Sequence, residues 1–188
     1  MKPSSRTILQ GPSVELRAPF FLDAEQLLRL RVANRDDWRP YEQTRDDGWY
    51  TLEGQKRELR RAREDWGVRD CTFGVYPNEE LVGVVGIFPV EDPTVVITAN
   101  IGYMIDAHHR GSGYATEAAR LLVSFGFKVL LVGRVRAGIV DDNAPSIRVV
   151  EKLRFHRGDI ALGFMEIRGQ LTDHRIWYLD YEEWRQND

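Results

Sequence analysis

Between Cys71 and Ile105 the chain carries three runs rich in β-branched and aromatic residues, Cys71 to Tyr76, Leu81 to Phe88 and Val95 to Ile105. Only the turn clusters PNEE and EDPT separate them. Runs so short and so closely punctuated predict three antiparallel strands in a meander. The stretch that follows, HHRGSGYATEA from His108 to Ala118, sets a basic, glycine-spaced loop directly before alanines and leucines at helical spacing from Tyr114 to Leu131. The last strand of the meander therefore feeds a helix through a loop built for close backbone approach.

The flanks complete the pattern. Val14 to Ala18 alternates as a short strand, and Asp23 with Gln26 forms a capping box for a helix through Ala33. A polar, aromatic-bearing loop, NRDDWRPYEQTR, precedes a second helix opened by Thr51. Downstream, Arg134 to Val140 alternates as a strand and Ala144 to Leu153 is a short helix. Two final strands, Ile160 to Ile167 and His174 to Tyr181, meet at the turn Arg168-Gly169-Gln170. This order predicts an α/β domain with one central mixed, mostly antiparallel sheet flanked by helices. With 43% of its 188 residues hydrophobic, the chain is large enough for one core. Residues 1–12 read as an N-terminal tail and 13–188 as a single domain.

Several function classes are excluded. One cysteine, Cys71, allows no internal disulfide framework, and its place in a strand-like run suits a buried apolar residue better than a nucleophile. Neither a signal-like apolar segment nor a membrane-span length is present, so a cytoplasmic protein away from membranes is expected. The net charge of −3 does not favour polyanions. In TLEGQKRELRRARED the pairs Glu53 and Arg57, Arg60 and Glu64, and Arg61 and Asp65 stand four apart, as on a solvated, ion-paired face, and no nucleic-acid site is expected. His108 and His109 are adjacent, a poor spacing for chelation, and Asp141 and Asp142 lack further ligands nearby, so no metal is expected.

The glycine loop carries the chemistry. A helix's first turn exposes unpaired N–H groups and about half a positive charge, which suits an anion. Gly111 and Gly113 let the backbone approach a phosphate, Arg110 adds a forked cation and Ser112 a hydroxyl. The loop reads as a pyrophosphate cradle, a tight connection being the alternative. It is neither a P-loop nor a GxGxxG dinucleotide fingerprint.

Arg110-Gly111-Ser112-Gly113-Tyr114-Ala115 resembles the Arg/Gln-x-x-Gly-x-Gly/Ala pattern of the GNAT superfamily of acetyl-CoA-dependent N-acetyltransferases. The longer RGSGYATEA resembles its RimJ/RimL branch, which includes enzymes that acetylate the N-terminal amines of ribosomal proteins. DDNAPSIRVVEKLRF is similar to that branch's Asn-x-x-Ser, short helix and Leu-x-Phe, and LRVANRDDWRPYE is similar to the N-terminal segment of the RimJ group. The resemblance implies a sheet splayed between the strand before the loop and the parallel strand Arg134 to Val140. The pantetheine arm of acetyl-CoA would lie in that gap on backbone around Met104 and Ile105, with the pyrophosphate on the amides of Arg110 to Ala115. Asn143 would contact the cofactor arm and Ser146 would stand near the thioester sulfur. From its position before Ala144 and Pro145, Asn143 also suits a helix N-cap, and both roles can coexist.

Acetyl transfer needs a neutral amine, a stabilised carbonyl oxygen and an accommodated thiolate. The resemblance assigns the oxygen to a backbone N–H near Ile105 and the sulfur to Ser146. Because a thiol of pKa about 8.5 leaves tolerably well unaided, loss of Ser146 is expected to slow turnover moderately. Many relatives carry Glu-Ile-Gly-Tyr where this chain has Asn100-Ile101-Gly102-Tyr103, and an amide accepts no proton at neutral pH. Glu166 stands one residue out of register from a carboxylate of some RimL-like enzymes, while Asp106 and Glu91 read as loop carboxylates. A weak base suits an α-amine of pKa about 8, of which roughly a tenth is neutral at pH 7, better than a lysine at about 10.4.

Three readings follow: a RimJ-type acetyltransferase of protein N-termini, a GNAT enzyme acting on a small amine, and a non-catalytic acetyl-CoA-binding protein. Trp38, Tyr41, Trp49 and Tyr50 fall in the segment that borders the acceptor side in relatives, with core packing as the alternative. The sequence leaves monomer and homodimer open.

Overall fold

The computed structural model describes residues 3–90 and 96–186. Its strands are β1 (Ile8–Gln10), β2 (Glu15–Arg17), β3 (Cys71–Tyr76), β4 (Gly83–Val90), β5 (Thr98–Ile105), β6 (Arg134–Ile139), β7 (His156–Ile167) and β8 (Gln170–Asp180). They form one sheet in the order β1-β2-β3-β4-β5-β6-β8-β7. Only β5 and β6 run parallel; every other neighbouring pair is antiparallel.

Period-two alternation divides the sheet into two faces. On one, Ala99 and Ile101 of β5, Val135 and Ala137 of β6, and Trp177 and Leu179 of β8 pack against α4 (Tyr114–Lys128) and α5 (Ala144–Lys152). An edge-to-face series runs through this core, with Trp66 to Phe73 at 5.0 Å and Phe73 to Phe125 at 5.4 Å. The other face carries a smaller core in which Leu27 and Leu30 of α1 (Ala24–Ala33), Trp38 of α2 (Arg35–Trp38) and Leu59 of α3 (Leu52–Asp65) meet Tyr76, Leu81 and Met104. Cys71 is buried, and that burial pushes its thiol up to about 12, so it is the inert core residue its surroundings predict.

The helix starts follow their caps. Asp23 accepts from the amides of Glu25 and Gln26, Thr51 from Gly54, and Asn143 from Ser146. On α3 the Arg61–Asp65 pair forms at 3.5 Å, whereas Glu53 pairs with Lys56 at 2.8 Å. Among the described residues no helix is long and apolar enough to cross a membrane.

Several elements differ from the sequence-based expectation, and β8 begins at Gln170 rather than His174. Strand β1 lies inside residues 1–12, read above as a tail, and pairs Ile8 with Arg17 of β2. Strand β7 begins at His156 rather than Ile160, because register shifts at Arg157/Ile160 and Ala161/Met165 break its alternation. Helix α4 stops at Lys128, and the apolar residues beyond it turn through Leu131 at φ +57°. The loop NRDDWRPYEQTR contains α2. The turn EDPT, Val95 and Glu91 lie outside the described residues.

The segment from Asn34 to Trp38 joins the two sides of the molecule. Buried Asn34 donates to the Leu30 carbonyl at 2.9 Å and accepts from the Ala107 amide at 2.8 Å. Trp38 Nε1 donates to the Ile105 carbonyl at 3.2 Å, and Asp37 pairs with Arg110 at 2.9 Å. Asn34→Ala leaves the Ala107 amide without its acceptor, so urea unfolding should show a loss of about 1–3 kcal/mol. An unchanged unfolding free energy would contradict this bridging role.

Candidate active site

β5 and β6 pair only from Thr98↔Arg134 to Asn100↔Arg136. At that vertex Arg136 Nε donates to Asn100 Oδ1 at 2.7 Å. Beyond it β5 stays on β4 as far as Ile105↔Gly83, and β6 stays on β8 as far as Ile139↔Arg175. A cavity of about 500 Å³ opens at the parting, lined by Ile101 to Met104 on one side, by Ala137 to Val140 on the other, and by Asn143 and Ser146.

The ladder decides which backbone groups face the gap. Antiparallel pairs alternate between bonded and non-bonded, and the Asp106 amide donating to the Val82 carbonyl places Gly102 and Met104 on the β4 side. Tyr103 and Ile105 therefore face the gap. By the same alternation the Tyr181 amide on the Gly133 carbonyl turns Gly138 and Val140 toward it. The Ile105 carbonyl is taken by Trp38 and the Val140 carbonyl by the Asn143 amide, while the ladder turns the Ile105 amide toward β6, at the edge of the cavity and outside its lining. Met104 lines the cavity through its side chain, its own amide and carbonyl being on the β4 side.

At the end of β5 the glycine loop opens onto α4. Gly111 and Gly113 both sit at φ +83° with nothing within 4 Å of an added Cβ. Gly113 precedes α4 without a side-chain cap, leaving the amides at Tyr114 and Ala115 free of one. Exposed Arg110 and Ser112 lie beside these amides. The acid of that first turn, Glu117, is engaged elsewhere, accepting from the Ser13 and Val14 amides at 2.7 and 3.1 Å.

Ser146 meets a partner that motif spacing did not assign. Tyr103 Oη lies 2.9 Å from Ser146 Oγ and donates within reach of the Ser146 carbonyl at 3.2 Å. Burial pushes the Tyr103 phenol up to about 12, so it keeps its proton at neutral pH. When that proton points to the carbonyl, the serine hydroxyl donates to Tyr103. Asn143 accepts from the Ser146 amide at 3.1 Å and so seats the serine at the start of α5.

On the opposite face His174 is only 3% exposed. Its Nδ1–H donates to the Thr172 carbonyl at 3.0 Å, so a proton exchanged by the ring is exchanged at Nε2. The ring lies 5.0 Å from Phe164 and lines the cavity. Glu166 is exposed and absent from the lining, where Met165 stands instead, and its carbonyl accepts from the Thr44 amide. Asp106 accepts from His109 Nδ1 at 2.9 Å, outside the lining. Trp38, Tyr41 and Trp49 line the cavity, whereas Tyr50 does not and donates to Glu42 at 3.0 Å. Asp70 also lines it, and burial raises its carboxyl against the opposing bonds from Thr72. Asp141 is engaged by Arg175 at 3.2 Å, and among the described residues no cluster of potential ligands could hold a metal.

A long, thin donor with amides along its arm and phosphates at its end matches both the unpaired strand edges and the open helix start. That donor is an acyl-coenzyme A, and the fold and gap are those of an acetyl-CoA-dependent N-acetyltransferase. Residues 13–156 match the acetyltransferase (GNAT) domain, and the chain belongs to that family. It is 34% identical over 172 residues to the probable N-acetyltransferase YjcK of Bacillus subtilis, covering 90% of this chain and 94% of that one. The [ribosomal protein uS5]-alanine N-acetyltransferase of Escherichia coli is 25% identical over 170 residues, covering 86% and 84%. Mycobacterium smegmatis RimJ, solved in complex with CoA-disulfide, superposes with a TM-score of 0.85 at 24% identity, covering 94% of this chain and 87% of that one. As an acetyltransferase the chain is an enzyme, which sets aside the non-catalytic reading.

Gly113→Ala keeps the space but forces a side chain into the left-handed region, at a cost of about 1–2 kcal/mol. The variant relieves that strain when its free loop leaves the left-handed conformation, and restoring it for the ligand should weaken coenzyme A binding in calorimetry by about tenfold, since 1.4 kcal/mol is a factor of ten. Wild-type affinity in this variant would remove the loop from the cofactor site.

Proposed function

We propose that the enzyme acetylates the α-amino group at the N-terminus of a protein, a ribosomal protein being the leading candidate, by direct attack within a ternary complex. The observation that carries this reading is the Asn100–Arg136 bond. Where many relatives carry an acid, the vertex holds an amide occupied by a guanidinium. With no acid at this vertex the amine's proton must pass to another group, and an α-amine, neutral to roughly a tenth at pH 7, places the lightest demand on it. The relative that acts on the alanine of ribosomal protein uS5 supports the same acceptor class.

Acetyl-CoA supplies the thioester carbonyl to be attacked. The gap-facing amide of Ile105 is suited to hold the carbonyl oxygen, and Arg110 to Ala115 to hold the pyrophosphate. Ser146, seated by Asn143, accepts from the Tyr103 phenol at Oγ and so keeps its own proton to donate toward the sulfur. His174 Nε2, on the acceptor face, takes the amine's proton directly or through water. The small-amine reading retains one observation in its favour: Glu42, Glu58 and Asp70 line the same cavity and would attract a cationic acceptor.

Free CoA release, measured with peptides bearing free or blocked N-termini, lysine side chains and polyamines, decides between the two acceptors. Turnover confined to free α-amino peptides is the expected result, and turnover confined to polyamines would overturn it. Ser146→Ala should lower kcat by about tenfold without weakening coenzyme A binding, in line with the modest help a thiolate needs to leave. His174→Gln should lower kcat/KM at pH 7 by about a hundredfold, within the usual range for a general base. The deficit should shrink at pH 8.5, where most of the amine is neutral, and a deficit equal at both pH values would count against His174.

A further inference from the structure

We propose that the acceptor side of the cavity contains an anion subsite, formed by Arg31, Arg45 and Trp49, that takes a carboxylate carried by the acceptor amine. The proposal rests on the acetyl-transfer reading above and adds the chemical class of its acceptor.

All three residues line the cavity. Both guanidinium groups stand over the Trp49 ring, with Arg31 Cζ 4.3 Å and Arg45 Cζ 3.9 Å from its centroid. Arg31 is held in place by the buried Gln55, donating to its Oε1 at 2.8 Å, while Gln55 Nε2 donates to the Trp49 carbonyl. Two cations thus stand against one indole, and a buried amide fixes Arg31 and the indole's backbone.

Neither cation is neutralised at close range. Among the described residues no carboxylate lies within 4.0 Å of Arg31 or Arg45. Glu58 and Glu42 act on Arg31 only at longer range, and Glu42 already accepts from Tyr50. Burial pushes the Arg31 guanidinium down to about 10, and the neighbouring Arg45 charge adds to that fall while Glu58 opposes it. Two further donors point the same way. Arg45 Nε and Trp49 Nε1 are buried without a hydrogen-bond partner among the described residues.

Buried donors are nearly always paired in folded proteins, so two unpaired ones on residues that line a cavity, beside two guanidinium groups without a close carboxylate, suit an acceptor from outside the chain. A carboxylate offers two oxygens and about four lone-pair directions, and it matches a guanidinium fork. The longer-range acids limit the surplus positive charge, which favours a monoanion over a phosphate dianion. Two sources present such a group next to a free α-amine: an acidic side chain close behind a peptide N-terminus, or the α-carboxylate of a free amino acid.

The test uses the full chain with acetyl-CoA and matched acceptors: short peptides with free N-termini that differ only in Asp or Asn at the second residue, and free amino acids against their amides. CoA release gives KM and kcat, and calorimetry with the acetylated forms of the same molecules gives binding without turnover. In the wild type the acid member of one pair should show a KM about tenfold lower than its amide at similar kcat, and Arg45→Gln should bring that ratio toward one. The pair that responds identifies the source. Equal behaviour of acid and amide in both pairs, or a preference that survives Arg45→Gln, would overturn the proposal. If Arg45→Gln does not fold, as judged by its melting temperature with coenzyme A, the wild-type acid-to-amide ratio decides alone. If no acceptor turns over, the N-terminal acetylation reading fails, while the calorimetric acid-to-amide comparison still decides the subsite.

Discussion

The parting of two parallel strands governs this molecule. β5 and β6 share three residue pairs and then separate, yet each keeps an outer partner to its end. The cost of opening the sheet therefore falls only on the inner edges, where the backbone of Tyr103, Ile105, Gly138 and Val140 needs partners from elsewhere. Trp38 and Asn143 answer two of those needs from within the chain. The rest are available to an extended ligand, which is how an opened sheet becomes a binding site rather than a defect.

The gap also joins two faces with different chemistry. Tyr103 and Ser146 belong to the face covered by α4 and α5, where the helix start and glycine loop also lie. Asn100, Met104, His174 and Phe164 belong to the face covered by α1 to α3, together with Arg31 and Trp49. These two sets of groups are thus kept apart by the sheet and meet only through the opening. The segment from Asn34 to Trp38 couples the two, since it reaches Ile105, Ala107 and Arg110 while Trp38 also lines the cavity.

Much of this was legible in the chain. The meander, the glycine loop and the helix caps rest on local chemistry, and local signals survive without tertiary information. Strand β1 was missed because three residues carry no usable period. The start of β7 was obscured by bulges, which shift side chains between faces. In the site, Ser146 and Asn143 could be placed from a motif, whereas Tyr103 gains its role only when β5 is laid beside α5. His174 looked like an ordinary strand residue, and its tautomer depends on a carbonyl two positions away. Arg31, Arg45 and Trp49 come from different elements, so no spacing in the sequence announces their cluster. Glu166 shows the converse: a carboxylate close to a plausible register that the folded strand leaves outside the cavity.

The most direct test of the opened-sheet account is residue-resolved amide exchange by NMR with and without coenzyme A. The account predicts that coenzyme A slows exchange at the gap-facing amides of Tyr103 and Ile105 and at the first turn of α4, while Gly102 and Met104, already bonded to β4, change little. Protection confined to other regions, with Tyr103 and Ile105 exchanging as before, would contradict it.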